Sequence, residues 1–228
     1  MNVTIHPEVG QRMPGFSLGV IQYKGTSVSE TPKMVQGRIN LFVESLRLDH
    51  SLEAITEIEG VRGWRAGFKK LGIDPSRYRP SSEALLRRLL QGNPFFWVNS
   101  AVDVNNFISV HHALPLGIYD LANLAGPTIT CRIGNPSDKY EGLNGRDMEM
   151  EGKLLLSDET GPFGSPIVDS VRTKVTESAT NLVQFLFFHE HVSAEEADKI
   201  IGSCARMFIE VNGGEVAHTS VIHPSSAM

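Results

Sequence analysis

Short polar side chains set among aliphatic ones make residues 102–121 the part of this sequence best suited to chemistry. Carboxamide and carboxylate groups, together with exposed backbone amides, can orient a small polar ligand in a pocket. The same side chains also fix tight backbone geometry by accepting hydrogen bonds from nearby amides. The residue types alone therefore leave a ligand pocket and a structural role equally open for Asp103, Asn105, Asn106, Tyr119 and Asp120.

Two pairs of histidines raise the question of a metal site. His189 and His191 fall on one face of a predicted strand, but no Cys, His or Asp cluster elsewhere supplies the further ligands that a metal ion needs. We therefore expect no metal there and histidines at the surface or at a strand end. His111 and His112 have the better prospect of lining a cleft. The patterns GxSxG, GxGxxG, HExxH and the phosphate-binding P-loop are all absent from the sequence.

Basic residues are concentrated between residues 62 and 88, although the whole chain has a net charge of -5. The only acidic residues in this stretch are Asp74 and Glu83. A cationic stripe on an acidic body could steer a polyanion to one face, and solvated helix faces would give the same pattern. The basic residues of this stripe are Arg62, Arg65, Lys69, Lys70, Arg77, Arg79, Arg87 and Arg88.

The composition is that of a folded protein. Of the 228 residues, 41% are hydrophobic and 21% are charged, which excludes a disordered chain. No apolar run approaches the roughly 18 residues that a membrane helix needs, and the first residues do not resemble a signal peptide. Cys131 and Cys204 are isolated in the sequence, so we expect two buried thiols and a cytoplasmic protein.

Hydrophobic spacing predicts one early strand followed by helices in the first 90 residues. Residues 16–23 are typical of a strand, and residues 39–48 carry apolar side chains at helical spacing. A second helix is predicted over residues 52–58 and a third over residues 64–68. Ser81 is predicted to cap a fourth helix, with Glu83 in its first turn.

The second half of the chain is predicted to be rich in strands. Between residues 95 and 192, short β-rich runs alternate with turn clusters, which indicates a compact sheet with one or two embedded helices. A capping box at Ser193 and Glu196 opens a C-terminal helix. Gly213 and Gly214 are expected to end the ordered part, and residues 224–228 to form a loose tail.

Three motifs carry a resemblance to a known family. The segment VDVNNFISVHHALPLGIYDLANL, residues 102–124, resembles the V-D-V-T-N and Q-P-L-H-A-F-D-L-D-K-L motif of the tRNA-editing domain in the phenylalanyl-tRNA synthetase beta subunit. Residues 63–106 are similar to the helical lead-in of free-standing members. Residues 169–188 resemble the closing segment, with its S-x-R-T-x-V-T pattern. We therefore interpret the chain as a free-standing relative of that domain.

The resemblance implies an α+β fold, with a mixed sheet-based core flanked by helices. We predict a single editing-like domain over residues 1–228. Its N-terminal strand and helices would occupy residues 1–59, the region of family resemblance residues 60–192, and the C-terminal helix residues 193–212.

The reaction that the resemblance implies is hydrolysis of the ester that joins a wrong amino acid to the end of a tRNA. Such an ester is already activated, so positioning a water molecule and stabilising the oxyanion can suffice without a strong protein nucleophile. The implied partner is the acceptor end of a tRNA, with the basic stripe on its phosphates, and neither DNA, a membrane nor a cofactor is implied.

The resemblance assigns roles only where positions match. Asn105 and Asn106 stand where the family's Thr-Asn pair lines the editing pocket, and Gly117 stands where the family has a pocket histidine. His111 or His112 could compensate for the missing imidazole. The remaining candidates for the substrate site are Tyr119, Asp103 and Asp120, and the closing-motif residues Asp169, Arg172 and Thr173.

Several alternatives stay open. Arg172 could pair with Asp169 or contact the terminal adenosine. The protein could be a trans-acting deacylase, or a binding module for RNA, an amino acid or a protein that kept the fold and lost hydrolysis. The missing histidine at Gly117 favours the binding module. A third possibility is a hydrolase of small aminoacyl esters, which suits the acidic net charge.

Overall fold

The computed structural model describes residues 1–224, which form the expected α+β fold. The helices within this range are α1 Pro7–Arg12, α2 Lys33–Asp49, α3 Glu59–Lys70, α4 Ser81–Leu90, α5 Ser100–His112 and α6 Ala194–Asn212. The strands are β1 Asn2–Ile5, β2 Ser17–Lys24, β3 Leu116–Asp120, β4 Thr128–Ile133, β5 Lys139–Glu141, β6 Asp147–Glu149, β7 Leu154–Asp158, β8 Gly161–Gly164, β9 Asn181–Phe188 and β10 Glu215–Ile222. Three short 3-10 turns lie at Ile55–Glu57, Leu121–Asn123 and Val171–Thr173.

Two four-stranded sheets form the framework. The first has the order β10-β2-β9-β3, and all its neighbouring strands are antiparallel. The second has the order β1-β4-β7-β8, in which β1 runs parallel to β4 and the other pairs are antiparallel. The sheet-based core is therefore mixed, as predicted. Strands β5 and β6 form a separate hairpin.

Strand β9 is one of the two central strands of the first sheet, beside β2. Its sequence NLVQFLFF is buried from Leu182 to Phe188. A nearly continuous apolar run is typical of a strand that is covered on both faces. The Trp64 indole donates a hydrogen bond to the Phe187 carbonyl over 3.1 Å, which fastens α3 against this strand.

Helix α5 carries most of the polar segment that the sequence singles out. It begins after Asn99, whose side chain accepts a hydrogen bond from the Val102 amide at 3.0 Å. It ends at Ala113, which has a left-handed backbone with φ of 53°. The helix packs against β3 of the first sheet and against α4 and α6, and α6 also packs against β2 and β10 of that sheet.

A second apolar cluster lies among α2, α4 and α5. One face of α2 contributes Ile39 and Val43, and α4 contributes Leu86 and Leu89. These side chains are buried, whereas the opposite face of α2 is exposed to solvent. Helix α2 is therefore held by a single face.

Local signals predicted several elements correctly and failed at others. The early strand, the first and third helices and the capping box at Ser193 are confirmed, with the Ser193 hydroxyl accepting from the Glu196 amide at 3.2 Å. The predicted helix over residues 52–58 is wrong, because only a 3-10 turn forms there. Ser81 is the first residue of α4 and not its cap, since Pro80 precedes the helix. The Ser81 amide donates instead to the Pro166 carbonyl.

The C-terminal prediction is also corrected. Gly213 and Gly214 have φ of 64° and 77°, and they turn the chain into β10, which pairs with β2 along its length. The ordered part therefore continues past these glycines. Residues 225–228 of the predicted tail lie outside the described residues. None of the helices between residues 1 and 224 combines the length and apolar content of a membrane span.

Candidate functional site

A cavity of about 610 Å³ lies where α5 and β3 meet the loop segments around residues 143–144 and 167–175. Four of the predicted pocket and substrate residues line it together, Asn105, Asn106, Tyr119 and Asp169, and so does Arg88 of the predicted basic stripe. The rest of the lining is largely apolar. The additional lining residues are Ser81, Ala84, Leu85, Phe96, Val98, Val102, Leu116, Ile118, Leu143, Asn144, Ile167, Val168, Lys174 and Val175.

The titratable group of this cavity is a carboxyl paired with a phenol. The Tyr119 hydroxyl donates a hydrogen bond to Asp169 Oδ1 at 2.5 Å. Burial raises the pKa of Asp169 to about 7, against the opposing effect of the Tyr119 hydrogen bond. Burial also raises the pKa of Tyr119 well above its usual value, so the phenol keeps its proton. A carboxyl that titrates near neutral pH can accept or donate a proton during a reaction.

Gly117, which the resemblance places at the position of the family's pocket histidine, does not line the cavity, so the expectation that it belongs to the pocket is wrong. It lies within β3, opposite Phe185 in the neighbouring strand. A Cβ atom on Gly117 would collide with the phenol oxygen of Tyr119, and so would one on Gly164. The two glycines therefore form a slot for the Tyr119 ring, which occupies the space that a side chain at Gly117 would need.

The two neighbouring asparagines have different environments. Asn105 is buried, and its amide accepts a hydrogen bond from Gln184 Nε2 at 2.9 Å. Gln184 in turn accepts from the Tyr23 hydroxyl at 2.8 Å, so Asn105 belongs to a buried chain of hydrogen bonds. Asn106 is partly exposed to the cavity, and its amide makes no hydrogen bond to another residue of the described chain. Asn106 is therefore the asparagine available to a ligand.

The mouth of the cavity combines exposed apolar side chains with two cations. Phe96 is 65% exposed, and Val98 and Leu143 are also exposed there. Arg88 and Lys174 are exposed lining residues with positive charge. Sequence reasoning missed Phe96 and Lys174 as site residues. Lys174 directly follows the closing-motif residue Thr173, and that adjacency is the signal that could have found it.

The predicted residues Asp103 and Asp120 lie outside this cavity. Asp103 is buried and accepts hydrogen bonds from the Thr31 hydroxyl at 2.5 Å and the Val98 amide at 2.8 Å. Asp120 accepts from the Ala122 amide at 3.0 Å and caps the 3-10 turn that follows β3. It borders a different, open groove of about 900 Å³. Both carboxylates therefore fix backbone geometry.

The predicted residues of the closing segment, residues 169–188, also lie in different environments. Arg172 makes two hydrogen bonds to Asp158, at 2.9 and 3.0 Å, and not to Asp169. Burial alone would raise the pKa of Asp158, but the hydrogen bonds and charge of Arg172, together with hydrogen bonds from the Ala125 and Thr160 amides, hold that pKa below its usual value. Thr173 is buried, and its hydroxyl has no hydrogen-bond partner within residues 1–224. Of this motif, only Asp169 and the unpredicted Lys174 and Val175 line the cavity.

The histidines are also remote from the cavity. His111 and His112 end α5, and neither lines the cavity that holds Asn106, so they do not replace the missing imidazole. His112 lines a separate space of about 80 Å³ with His189 and His191. Burial, and then the neighbouring His111, lowers the pKa of His112 to about 4. No group of three or more potential ligands in the described part of the chain is arranged to hold a metal ion.

Half of the predicted basic stripe is bonded to carboxylates. The buried Glu83 carboxylate receives Arg65 at 2.9 Å and Arg87 at 2.8 Å, and Arg79 lies 4.0 Å away. Lys70 pairs with Glu190 at 2.6 Å. The other four basic residues have no salt bridge within residues 1–224 and are exposed: Arg62, Lys69, Arg77 and Arg88.

Comparison with known proteins gives three findings. A family model described as the B3/4 domain matches residues 63–203, which overlaps the predicted region of family resemblance. The uncharacterised protein YhzB of Bacillus subtilis is 27% identical over 214 residues, which cover 94% of this chain and 96% of that protein. The phenylalanine–tRNA ligase beta subunit of Moorella thermoacetica is 26% identical over 161 residues. That match covers 60% of this chain and 20% of the subunit.

A solved structure was also compared. An N-terminal fragment of the phenylalanyl-tRNA synthetase beta subunit from Pyrococcus horikoshii aligns with 99% of this chain and 51% of the fragment. The TM-score is 0.44 and the sequence identity is 11%. The chain thus spans only part of the synthetase proteins that it matches.

Proposed function

The chain belongs to the B3/4 domain family, and from that premise we propose that it hydrolyses the ester bond of misacylated aminoacyl-tRNA. The observation that carries the proposal is the cavity in which the unbonded amide of Asn106 and the Tyr119–Asp169 pair lie together. The similarity to phenylalanine–tRNA ligase beta subunits supports it, because the editing reaction is what that resemblance implies.

The dimensions and lining of the cavity suit an aminoacyl group. About 610 Å³ falls within the range of pockets that hold small molecules, and most of its walls are apolar. Leu85, Val102 and Ile118 would surround an apolar amino acid side chain. Asn106 would bond to the ester carbonyl or the α-amino group, since its amide offers both donors and an acceptor.

Asp169 is the residue that we assign to proton transfer. With a pKa near 7, an appreciable fraction of its carboxyl is ionised at neutral pH and can accept a proton from a water molecule. That water would attack the acyl carbon, the bond from this carbon to the ribose oxygen would break, and the proton would pass to the leaving ribose oxygen, which becomes a hydroxyl. Tyr119 holds the carboxyl in position through its hydrogen bond.

The mouth of the cavity would receive the end of the tRNA. Arg88 and Lys174 would contact phosphates, and the exposed Phe96 ring would stack on the terminal base. Base–aromatic stacking contributes about 1–3 kcal/mol, and phosphate contacts make binding fall steeply with salt. The proposal implies a cytoplasmic protein, where aminoacyl-tRNA is used.

Hydrolysis of a small aminoacyl ester is the second candidate. The observation that favours it is the pairing of Arg65, Arg87 and Lys70 with carboxylates, which leaves fewer cations for a polyanion. Arg88→Glu distinguishes the two substrates. It should slow hydrolysis of charged tRNA by about tenfold at moderate salt and leave a small aminoacyl ester unaffected.

The experiment that tests the proposal measures amino acid release from a panel of correctly and incorrectly charged tRNAs. We expect the protein to release amino acid from at least one incorrectly charged tRNA faster than the uncatalysed rate. Tight binding to the tRNAs of the panel without release of amino acid would favour the non-catalytic binding module over the deacylase. Release of amino acid from small esters alone would favour the second candidate.

A further inference from the structure

The outer face of α2 carries an unpartnered apolar stripe. Leu48, Leu41 and Met34 are 88%, 73% and 69% exposed, the three most exposed large apolar side chains between residues 1 and 224. They are spaced seven residues apart, which is close to two helical turns, so they drift by only about 20° per step. These three residues, here called the α2 stripe, run for about 21 Å along the helix.

Charged residues flank the α2 stripe symmetrically about Leu41. Arg38 and Glu44 lie three residues before and after it, and Lys33 and Asp49 lie eight residues before and after it. All four are exposed. Each base on the N-terminal half is thus matched by an acid at the equivalent distance on the C-terminal half.

This arrangement is self-complementary for an antiparallel helix pair. A two-fold axis at Leu41 would place Leu41 against its own copy and Met34 against Leu48 of the second copy. Each base would then lie at the same level along the seam as an acid of the other helix.

The small residues of this face follow the same symmetry. Gly37 and Ser45, four residues before and after Leu41, are both exposed on α2. They would leave room for the two helices to approach to the usual 8–10 Å between axes.

We propose that the α2 stripe is the surface on which a second copy of this chain docks, antiparallel and centred on Leu41. The symmetry identifies the occupant, because an unrelated partner would require no match between the two halves of α2. None of the three stripe residues lines the cavity around Asn106, so this inference does not depend on the proposed function.

Sedimentation at increasing concentration tests the proposal. The wild type should form a dimer of about 50 kDa, twice the 25.1 kDa chain, in the micromolar range. Leu41→Asp brings two carboxylates together at the axis and should weaken dimerisation by at least about a hundredfold. Val216→Asp, at an exposed apolar residue on β10, is the matched control and should stay dimeric. A wild type that remains monomeric up to about 200 µM, or a Leu41→Asp variant that still dimerises, overturns the proposal.

Exchanging the charges of Arg38 and Glu44 distinguishes an antiparallel dimer of this chain from any other docking mode. Arg38→Glu should weaken the dimer roughly fivefold, because it adds an acid beside Glu44 of the other copy. Combining Arg38→Glu with Glu44→Arg should recover much of the affinity lost in Arg38→Glu, since that level of the seam again holds opposite charges, although Glu44→Arg also removes the 2.6 Å ion pair of Glu44 with Arg47 in the same helix. A double variant as weak as Arg38→Glu contradicts the antiparallel pairing.

A disulfide between two copies of the chain tests directly whether Leu41 lies on the proposed two-fold axis. Leu41→Cys should cross-link to its own copy under mild oxidation, because the residue lies on the proposed axis. Asn40→Cys, on the same helix but about 100° from Leu41, should not. The native Cys131 and Cys204 are buried and should not interfere. Equal cross-linking of both variants would refute the assignment of Leu41 to the axis.

Discussion

The Tyr119 hydroxyl donates a 2.5 Å hydrogen bond to Asp169, and this bond joins β3 to the loop that precedes the last 3-10 turn. The phenol reaches that carboxyl because Gly117 and Gly164 carry no side chains that would block its ring. Burial, opposed by the hydrogen bond, holds the pKa of Asp169 at about 7. The Asp169 carboxyl, held by this bond, is therefore a titratable group in the cavity.

Removing the phenol oxygen should change the titration of Asp169. In Tyr119→Phe, the pKa of Asp169 should rise above about 7, because the hydrogen bond that favours the ionised carboxyl is lost. Carboxyl NMR across a pH series measures the shift. Tyr140→Phe is the control, since the Tyr140 hydroxyl bonds to Ser165 and Val168 and not to Asp169. An unchanged or lower pKa in Tyr119→Phe would contradict the assignment.

The raised pKa of Asp169 also predicts how stability depends on pH. A carboxyl whose pKa is higher in the folded than in the unfolded state stabilises the fold below about pH 4 and loses that contribution as the pH rises through about 7. The free energy of unfolding of the wild type, relative to Asp169→Asn, should therefore fall on the order of 4 kcal/mol over this range. Urea denaturation at each pH measures the difference. A difference that stays constant from pH 4 to pH 8 would be inconsistent with this pKa.

The adjacent asparagines should respond differently to truncation. Asn105→Ala should lower the free energy of unfolding by about 1–3 kcal/mol, because it leaves the buried Gln184 amide without its acceptor. Asn106→Ala should change it by less than about 0.5 kcal/mol, since that amide bonds to no other described residue. Thermal and urea denaturation compare the two variants. Equal losses would mean that the two side chains have similar structural roles.

Glu83 should be the carboxylate of the basic stripe on which stability depends most. Glu83→Gln should cost about 3 kcal/mol of unfolding free energy, because Arg65 and Arg87 would lose the buried charge that they share. Glu195→Gln removes an exposed partner of Lys199 and should cost less than about 1 kcal/mol. Chemical denaturation of the two variants tests the contrast, and a cost below 1 kcal/mol for Glu83→Gln would contradict it.

Local chemistry decided which parts of the fold were predictable. The early strand β2 and the hydroxyl cap at Ser193 are encoded within a few residues, so the sequence indicates both. Strand β10 was missed because most of its side chains are exposed and its residues form no clear apolar face. The cap at Ser81 failed because α4 begins at Ser81 itself, one residue earlier than expected, directly after Pro80.

Local sequence signals likewise predicted only part of the candidate site. Asn106, Tyr119 and Asp169 stand in recognisable motifs, so the sequence could single them out as candidates, but only the fold shows that they line one cavity. Ion pairs were harder, because the partner of Arg172 is Asp158 on β7, and no local spacing distinguishes it from Asp169. The pairing of Arg65 with Glu83 likewise depends on how α3 and α4 meet.

The most direct test of the proposed function is single-turnover release of amino acid from misacylated tRNA by the wild type and Asn106→Ala. We predict that the wild type releases amino acid and that Asn106→Ala, while folded and as stable, slows release by about a hundredfold. Asn135→Ala, at an exposed asparagine outside the cavity, should match the wild type. Equal rates for the wild type and Asn106→Ala, or no release by either from any misacylated tRNA, would contradict it.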